Sequence, residues 1–471
     1  MKNIEEQLRE LSQSDVYPFH MPGHKRNMAC GIPSYVYDIT EIDDFDNLHD
    51  ARGIIKNAQQ KAANLWGAKE SFFLVNGSTC GLLAAISAAT SRKGRILMSR
   101  NCHKAVYHAV YLRELETEYL YPVITRDGIQ GQIFPGDVEE ALEKNVDIQA
   151  VVITSPTYDG VVSNVAEIAA IAHAHDVPLI VDEAHGAHLG FHEYFPESAV
   201  KLGADVVVQS LHKTLPSPTQ TAILHRCSKR ISGEKIQEFL DIYESSSPSY
   251  LFLAAMEHCV EMVEKQGEEL FENYAHQLQS FYADMKSLSQ VKVLQPMDFF
   301  REEAFAFDPS KIVIMARGMM GKEIYEYLRV EKHLQPEMCQ GNYALCMSSI
   351  MDREEGFRRL GEALCELDEK IKKERKKASW NPAFVQSAYG PRQQAMSISH
   401  AQEAGKRIIF MDEAEGMVSA SYVSLYPPGI PFLVPGEVIN RQVIEIIMDC
   451  QNASFTVQGI TDNSQIKVVI F

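Results

Sequence analysis

Short apolar runs alternate with helical patterns between about residues 71 and 224 of the 471-residue chain. Several runs are rich in β-branched and aromatic residues and too uniformly apolar to leave one face in water: SFFLV, RILMS, IQAVVITS, PLIVD, DVVVQS and TQTAILH. Between them, DVEEALEKN and NVAEIAAIAHAHD repeat apolar residues at helical spacing. The alternation predicts an α/β fold with a mainly parallel sheet, helices on both faces, and ligands at the carboxyl ends of the strands.

The pattern changes after a long helical stretch, predicted over about residues 229–288 as a bridge out of the large domain. Strand patterns AFAFDP, KIVIMA, LQPEM and ALCMSSI then alternate with helices predicted over 321–332 and 353–377, which is typical of a smaller α+β domain. A Pro-rich turn, an apolar helix and a closing strand, IKVVIF, follow. We therefore predict an N-terminal segment over 1–45, a large domain over 46–288, a small α+β domain over 289–378 and a C-terminal domain over 379–471.

Composition narrows the classes of partner. The formal net charge of −18 argues against nucleic acid or an anionic membrane and mildly favours a cationic small molecule. No stretch has the apolar length of a membrane span, and MKNIEEQLRELSQ reads as a charged amphipathic helix rather than a signal sequence. The nine cysteines form no CxxC pair. These features predict a cytoplasmic protein without a structural metal.

The run DVVVQSLHKTL carries Lys213 from an apolar strand into a hydroxyl-rich turn, and Asp182 ends the strand PLIVD. A lysine suited to form a Schiff base and a carboxylate able to keep a ring nitrogen protonated are what pyridoxal phosphate requires. Taken singly, Lys213 is more simply a surface lysine and Asp182 a helix cap. Together with the loop described next, they favour the cofactor.

A strand, a turn and an apolar helix make up FFLVNGSTCGLLAAISAA, whose turn contains Gly77, Ser78 and Thr79. Glycine admits close approach of the backbone, the hydroxyls donate, and the free amides and dipole of the helix N-terminus attract a phosphate. A plain helix cap by Ser78 or Thr79 is an equal alternative for this segment alone. The GxGxxG and GxxxxGK[ST] spacings are absent, which disfavours dinucleotides and nucleoside triphosphates. Ser210 and His212, beside the lysine, can donate to the same phosphate.

Further candidates follow neighbouring strands. His103 begins a helix after RILMS and is placed to lie over a ring, although His108 and Lys104 share its segment and spacing does not single it out. His185, three residues beyond the acid, is as compatible with a structural role as with a place beside the ring. Thr157, in SPTYDGVVSN, can reach the phenolic oxygen of the cofactor.

Motifs in order from about residue 17 to the C-terminus resemble the bacterial ornithine/lysine/arginine decarboxylase family of fold-type I pyridoxal phosphate enzymes: PFHMPGHK, DNLHD, VNGSTCG, RNCHKAV, SPTYDGVVSN, VDEAHGAHLGFH, QSLHKTL and YPPGIPFLVPGE. The resemblance implies a large domain like that of aspartate aminotransferase, with a mainly parallel seven-stranded sheet and smaller α+β C-terminal domains. It also implies a homodimer or higher homo-oligomer with each active site near the subunit interface.

The same resemblance implies roles for particular residues. Lys213 would be the Schiff-base lysine, Asp182 the partner of the pyridine nitrogen, and His103 the residue stacked on the ring. The phosphate would be held by Ser78, Thr79, Ser210 and His212, with His185 beside the ring.

The sequence departs from the family pattern in three places. It begins almost directly at PFHMPGHK, which indicates a short form without the N-terminal wing domain of the long members. Leu211 stands where the family usually has threonine, and Met417 and Ser421 stand where relatives commonly have arginine and glutamate. The latter changes make the substrate pocket the least predictable part of the site.

The expected activity is α-decarboxylation of arginine, lysine or ornithine to a polyamine-type amine. Either Lys213 or His103 would protonate the α-carbon. Glu337, Asp44 and Asp46 are candidates for binding the cationic tail of the substrate, although each alone is more simply a surface acid. The alternatives are an aminotransferase or β-eliminating lyase of the same fold, and a catalytically altered homologue with a binding or regulatory role.

Overall fold

A computed structural model describes residues 2–14, 33–374, 389–425, 429–452, 456–461 and 463–470. The motif PFHMPGHK, residues 426–428 of the Pro-rich turn and the end of the charged segment KIKKERKK lie outside the described residues. Within the described ranges, no helix has both the length and the apolar character needed to cross a lipid bilayer.

The helices mainly flank the sheets that hold the site. They are α1 Ile4–Gln13, α2 Ile54–Trp66, α3 Gly77–Ala89, α4 Lys104–Arg113, α5 Pro135–Lys144, α6 Val165–Ala174, α7 Leu211–Thr214, α8 Gly233–Tyr243, α9 Tyr250–Met285, α10 Gly321–Glu326, α11 Glu354–Glu374, α12 Ile398–Glu403 and α13 Arg441–Asn452. Single turns of 3₁₀ helix occupy Pro33–Tyr37, Leu48–Asp50, Pro296–Asp298 and Met411–Glu413, and one turn of π-helix over Tyr327–Glu331 extends α10.

The strands form one large sheet and several smaller ones. They are β1 Glu70–Leu74, β2 Arg95–Ser99, β3 Glu116–Leu120, β4 Ile148–Thr154, β5 Val161–Val162, β6 Leu179–Asp182, β7 Val206–Gln209, β8 Ala222–Arg226, β9 Val291–Val293, β10 Ala306–Phe307, β11 Lys311–Ala316, β12 Met338–Gln340, β13 Tyr343–Met347, β14 Lys406–Phe410, β15 Val423–Leu425, β16 Pro431–Leu433, β17 Val457–Gln458 and β18 Gln465–Val469.

The large sheet has seven strands in the order β1-β8-β7-β6-β4-β2-β3. The ladders from β7 to β3 are parallel, whereas β8 runs antiparallel to both of its neighbours. The predicted mainly parallel α/β sheet is therefore confirmed. The edge strand β3, ETEYL, is one that the sequence analysis did not assign.

Helices cover both faces of this sheet, as predicted. Alternate residues of β4 enter different apolar clusters: Val151 and Ile153 pack on the face covered by α2, α6 and α9, while Ala150 and Val152 pack on the face covered by α3, α4 and α8. Because both faces are dry, the strands read as continuous apolar runs. A polar ligand can therefore reach this sheet only at the strand ends.

The bridge predicted over residues 229–288 is two helices rather than one. Between α8 and α9 lies the segment ESSSPS, which ends at Ser249, the N-cap of α9. Pro248 is incompatible with a helix interior because it lacks an amide hydrogen and its ring collides with the preceding turn. The Glu244 carboxylate accepts hydrogen bonds from the amides of Val75 and Asn76, so the break also fixes the chain just before α3.

After α9 the chain forms a second, antiparallel sheet in the order β12-β13-β11-β9. The predicted segments KIVIMA and ALCMSSI correspond to β11 and to most of β13, whereas LQPEM enters a strand only at Met338. AFAFDP contributes the two-residue strand β10, which pairs with β5 of the large unit. The predicted domain boundaries themselves stay predictions.

The C-terminal unit packs against the edge of the large sheet through a buried ion pair. Arg100 Nη2 donates to both carboxylate oxygens of Glu437 at 3.2 Å, and Arg100 Nη1 donates to the carbonyl of Pro431 at 2.6 Å. Arg100 and Glu437 have side-chain exposures of 1% and 2%. This contact fixes the segment around β16 beside the residues that follow β2.

Candidate active site

A cavity of about 490 Å³ opens at the carboxyl ends of the parallel strands. Its volume lies within the usual range for small-molecule sites. Every residue predicted to hold the cofactor lines it: Gly77, Ser78, Thr79, His103, Thr157, Asp182, His185, Ser210, His212 and Lys213. The sheet topology therefore brings together residues that are up to 136 positions apart, from Gly77 to Lys213.

One end of the cavity is suited to an anion. Gly77 opens α3 with φ +76°, a left-handed conformation that favours glycine, and the hydroxyls of Ser78 and Ser210 hydrogen-bond to each other at 2.6 Å. The N-cap of α3 is Asn76, and it makes no side-chain cap hydrogen bond. Ser78 and Thr79 are thus not the N-cap of this helix, and its first turn is available to a phosphate.

His212 stands beside this end with a defined tautomer. Its Nδ1 lies 2.8 Å from the carbonyl oxygen of Thr221. Because a carbonyl can only accept, Nδ1 carries a hydrogen. Burial lowers the pKa of His212, although the Thr221 carbonyl partly opposes that effect.

Asp182, at the end of β6, provides a buried carboxylate in the same cavity. The residue is 3% exposed, and its Oδ1 accepts the amide of Ala184 at 3.2 Å. Burial raises the pKa of Asp182, while Lys213 lowers it. Across the described residues no cationic nitrogen makes a salt bridge to this carboxylate, so a protonated ring nitrogen in the cavity would supply the missing counter-charge.

His103 is the N-cap of α4, and its Nδ1 accepts the amide of Ala105 at 3.2 Å. A neutral imidazole in this arrangement carries its hydrogen on Nε2. Burial lowers the pKa of His103 to about 4, and the charges of Lys213 and Lys104 add to the effect. His103 is therefore neutral near pH 7 and can lie against an aromatic ring without a charge. His108 is not among the residues that line the cavity, although Lys104 is.

Lys213 is largely buried and has an unusual neighbour. Its Nζ lies 3.1 Å from Nε2 of His185, whose Nδ1 lies 3.0 Å from Nζ of Lys311. Burial lowers the pKa of Lys213, whereas Asp182 and Glu337 raise it. The wholly buried Lys311, at the start of β11, was not among the predicted site residues, because a lysine that begins a strand gives no sign of burial in the sequence.

Several other polar residues that line the cavity were not predicted from the sequence. Asp159, buried and hydrogen-bonded at 2.7 Å to the hydroxyl of Tyr343, belongs to the quoted segment SPTYDGVVSN, which was the available signal. Burial raises the pKa of Asp159 to about 6, against the lowering effects of Tyr343 and Lys311. The side-chain oxygens of Asn101 and Gln130 have no hydrogen-bond partner in the part of the chain that is described. They are acceptors available to a ligand.

The three acids predicted to bind substrate separate into two places. Glu337 lines the cavity and accepts a hydrogen bond from the hydroxyl of Tyr158 at 2.5 Å. Asp46 instead accepts the amides of Arg52, Gly53 and Ile55 at the start of α2. Asp44 is exposed, and neither it nor Asp46 lines the cavity of this chain.

The residues that depart from the family pattern do not line the cavity either. Leu211 is fully buried in the main apolar cluster. Met417 packs against the apolar cluster of the C-terminal unit, and Ser421 hydrogen-bonds through its amide to Ser419. The C-terminal unit reaches the cavity through Gly429 and Ile430 instead.

These features fit pyridoxal phosphate. The first turn of α3 with its hydroxyls matches a phosphate, the buried Asp182 carboxylate matches a protonated pyridine nitrogen, and Lys213 offers an amine of lowered pKa within the same cavity. The cavity thus offers an anion site, a buried carboxylate and an amine, which are the three groups that this cofactor requires.

Comparison with protein families gives two matches that together span most of the chain. Residues 4–355 match the family described as "Orn/Lys/Arg decarboxylase, major domain", and residues 376–461 match "Orn/Lys/Arg decarboxylase, C-terminal domain".

Individual relatives agree with these matches. The chain is 33% identical to the uncharacterised protein YaaO of Bacillus subtilis over 98% of this chain and 96% of that one. It is 31% identical to an arginine decarboxylase of Halalkalibacterium halodurans over 95% of this chain and 92% of that one. The crystal structure of the Francisella novicida lysine decarboxylase LdcF superposes with a TM-score of 0.86, covering 99% of this chain and 81% of that one at 19% identity, which shows a shared fold.

Proposed function

Because the chain belongs to the Orn/Lys/Arg decarboxylase family, we propose that it removes the α-carboxylate of a basic amino acid and releases the amine and CO2. Its large domain has the fold of fold-type I pyridoxal phosphate enzymes, and family members and such neighbours depend on that cofactor. The observation that carries the proposal is the placement of Lys213 and Asp182 on one cavity whose far end is built for a phosphate.

The residues of the chain would hold the cofactor at three points. Gly77, Ser78 and Thr79 offer amides and hydroxyls to the phosphate, joined by Ser210 and His212 from the segment after β7. Asp182 would hold a positive charge at the ring nitrogen, and His103 would cover the ring. Thr157 and His185 line the same cavity. When bound, pyridoxal phosphate supplies an aldehyde for covalent attachment and a ring that accepts electrons.

Lys213 supplies the reactive amine. Its lowered pKa increases the fraction present as a neutral amine, which is the form that bonds to an aldehyde. After CO2 leaves, the α-carbon needs a proton, and the two groups placed to give it are Lys213 Nζ and His103 Nε2. The choice between them stays open because both line the cavity.

Glu337 is the acid best placed for the cationic tail of the substrate. It lines the cavity, its orientation is fixed by Tyr158, and its charge acts on both Lys213 and Lys311. A carboxylate can pair with either an ammonium or a guanidinium group. Arginine, lysine and ornithine therefore all remain substrates to test. Assembly as a homodimer or larger homo-oligomer and a cytoplasmic location also remain predictions.

The direct test is to load the purified protein with pyridoxal phosphate, offer each of the three amino acids, and identify the amine and CO2. Borohydride reduction followed by peptide mass analysis should place the cofactor on Lys213. We expect Lys213→Ala to lower turnover on the order of 1000-fold or more, because the attached amine is lost. Lys201→Ala is a matched control, since Lys201 is a half-exposed lysine paired with Glu197 at the surface.

Other products would redirect the proposal. A keto acid or ammonia in place of CO2 would indicate an aminotransferase or an eliminating lyase. Protein that acquires no visible absorption band from added cofactor would contradict an enzymatic role dependent on pyridoxal phosphate.

A further inference from the structure

His185 lies between two lysine amines. Its Nε2 is 3.1 Å from Lys213 Nζ, and its Nδ1 is 3.0 Å from Lys311 Nζ. Lys311 and His185 are both buried, with Lys311 wholly inaccessible to solvent. Three nitrogen groups thus form a continuous hydrogen-bonded chain from Lys311, behind the residues that line the cavity, to the reactive amine inside it.

The fold provides a dedicated place for Lys311. Its stem crosses Gly160, where an added Cβ would lie 2.8 Å from Cγ and 2.9 Å from Cβ of Lys311. Gly160 also has φ +103°, a conformation that L residues rarely adopt. A glycine at position 160 therefore leaves room for the side chain of this lysine. In the described ranges, the one hydrogen bond of the Lys311 amine is the bond to His185.

The chemistry of imidazole limits the protons in this chain. A neutral imidazole has one N–H and one lone pair, so it can accept from one lysine and must donate to the other. If Lys311 is an ammonium, it donates to Nδ1, and Nε2–H then donates to the lone pair of Lys213. The reverse arrangement places the extra proton on Lys213. While His185 remains neutral and keeps both hydrogen bonds, at most one of the two lysines is an ammonium.

The surrounding carboxylates decide where that ammonium lies. Lys311 is close to Asp308, Asp159 and Glu337, whose charges all favour a proton there. Asp308 is wholly buried and is itself held by His188 at 3.1 Å, which keeps its negative charge in place.

Lys213 shares Glu337 with Lys311 and otherwise faces Asp182. Three carboxylates thus favour a proton on Lys311, whereas two favour a proton on Lys213. The balance of carboxylates therefore places the proton on Lys311.

On the basis of the proposed function, we infer that Lys311 is a positioning residue: as a buried ammonium it fixes His185 with hydrogen on Nε2 and so holds Lys213 as a neutral amine. The two lysines therefore have complementary tasks. Lys311 retains a proton, and Lys213 is ready to bond to an aldehyde without first losing one to water.

The electrostatics of the cluster disfavour a second positive charge. Burial lowers the pKa of Lys311 to about 8, Asp308 opposes that effect and Lys213 adds to it. Burial, together with Lys213 and Lys311, lowers the pKa of His185 well below its ordinary range, and His103 and His212 add to that effect. The ring of Tyr158 packs on His185 at 4.5 Å between centroids. His185 thus stays neutral at physiological pH, as the argument requires.

The first test measures Lys213 itself in the protein without cofactor, by the rate at which trace acetic anhydride acetylates it, read by peptide mass analysis. Lys311→Met and Lys311→Gln remove the ammonium. His185 can then carry its hydrogen on Nδ1 instead, and its Nε2 lone pair can accept a hydrogen bond from a protonated Lys213. We expect the acetylation rate of Lys213 near pH 7.5 to fall on the order of tenfold. Lys311→Arg keeps a cation and should restore a rate near that of the wild type. Lys292→Met is the matched control, because Lys292 lies on the neighbouring strand β9 and pairs with Asp127 at the surface.

A double-mutant cycle separates the hydrogen-bonded chain from a charge acting through space. In a His185→Phe background the bridge is absent, so Lys311→Met should no longer change the acetylation of Lys213. An equal effect of Lys311→Met with and without His185 overturns the inference. So does a Lys213 rate that is unchanged in every Lys311 variant.

A second measurement needs no variant and so stands even if the Lys311 variants fail to fold. Nitrogen-15 NMR of the wild-type protein distinguishes a protonated ring nitrogen from one with a free lone pair. We expect His185 to show hydrogen on Nε2 and a lone pair on Nδ1. The opposite tautomer, or a protonated imidazolium, overturns the inference.

Failure of the inference and failure of the proposed function give different results. Wild-type protein that traps the cofactor on Lys213, combined with unchanged acetylation in the Lys311 variants, removes the inference alone. Wild-type protein that traps no cofactor on Lys213 removes the proposed function and, with it, the inferred purpose of Lys311.

Discussion

Arg100 and Lys311 are two buried cations in opposite electrostatic situations. Arg100 contacts both oxygens of Glu437, donates to Pro431 and lies over the rings of Tyr107 and Tyr119 at 5.6 and 5.4 Å. Burial alone would lower the pKa of Arg100, but Glu437 and the tyrosines raise it above its ordinary value.

Lys311 makes no direct contact of that kind. It is as deeply buried, yet its amine contacts an imidazole rather than a carboxylate, and burial lowers its pKa to about 8. The difference shows that burial alone does not determine what a cation does. A cation with a full set of acceptors fixes one part of the chain against another, whereas a cation without a carboxylate contact has a lowered pKa and acts on the titratable groups beside it.

The largest expected effect comes from breaking the paired cation. Arg100→Met leaves the Glu437 carboxylate buried without its partner, and removing one member of a buried pair typically costs about 3–5 kcal/mol. We expect the free energy of unfolding in urea to fall by that order. The double variant Arg100→Met/Glu437→Leu should recover much of the loss, because no buried charge then remains. A single variant within 1 kcal/mol of the wild type would contradict the role given to this pair.

A smaller and pH-dependent effect is expected at the unpaired cation. In the unfolded chain Lys311 releases its proton near its ordinary pKa of 10.5, but in the folded protein it does so near 8. Between these pH values the unfolded chain binds more protons, so stability must rise with pH across the window. The shift sets an upper limit of about 3 kcal/mol on the gain.

The measurement is the difference in the free energy of unfolding between wild type and Lys311→Met at pH 8 and at pH 10. We expect that difference to move in favour of the wild type as pH rises. A constant difference would mean that Lys311 titrates alike in both states.

The smallest effect is expected at an exposed pair with the same chemistry as Arg100 and Glu437. Arg358 Nη1 lies 2.6 Å from Glu362 Oε1 on α11, but the two side chains are 56% and 59% exposed. Water and salt screen this pair, so Arg358→Ala should change stability by about 0.5 kcal/mol or less, and less still in high salt. A loss of stability comparable to that of Arg100→Met would show that burial does not explain the difference between the two ion pairs.

Most of the large sheet could be predicted because its strands are buried on both faces. Runs such as IQAVVITS and DVVVQS have no polar face, so their apolar composition identifies them directly. β3 was missed because ETEYL lies at the sheet edge and carries two glutamates, a pattern that resembles a loop. The break between α8 and α9 was missed because the apolar spacing continues on both sides of Pro248.

The site was predictable where one segment contains both a strand end and a reactive group. Lys213, Asp182 and the turn after β1 satisfy that condition, and the structure brings them to one cavity. Lys311 and Asp159 do not satisfy it. Each meets its partner, His185 or Tyr343, only when segments far apart in the sequence fold together. Asp46, the first residue of DNLHD, does not line the cavity and instead accepts amides at the start of α2, a contact that the motif alone does not indicate.

The contact between Arg100 and Glu437 joins positions 337 residues apart. Gly429 and Ile430, which complete one wall of the cavity, follow all seven strands of the large sheet in the sequence. On the ribosome, Lys213 is therefore made long before this wall exists. A ligand can be enclosed by the whole cavity only after residues 429 and 430 have been made and packed.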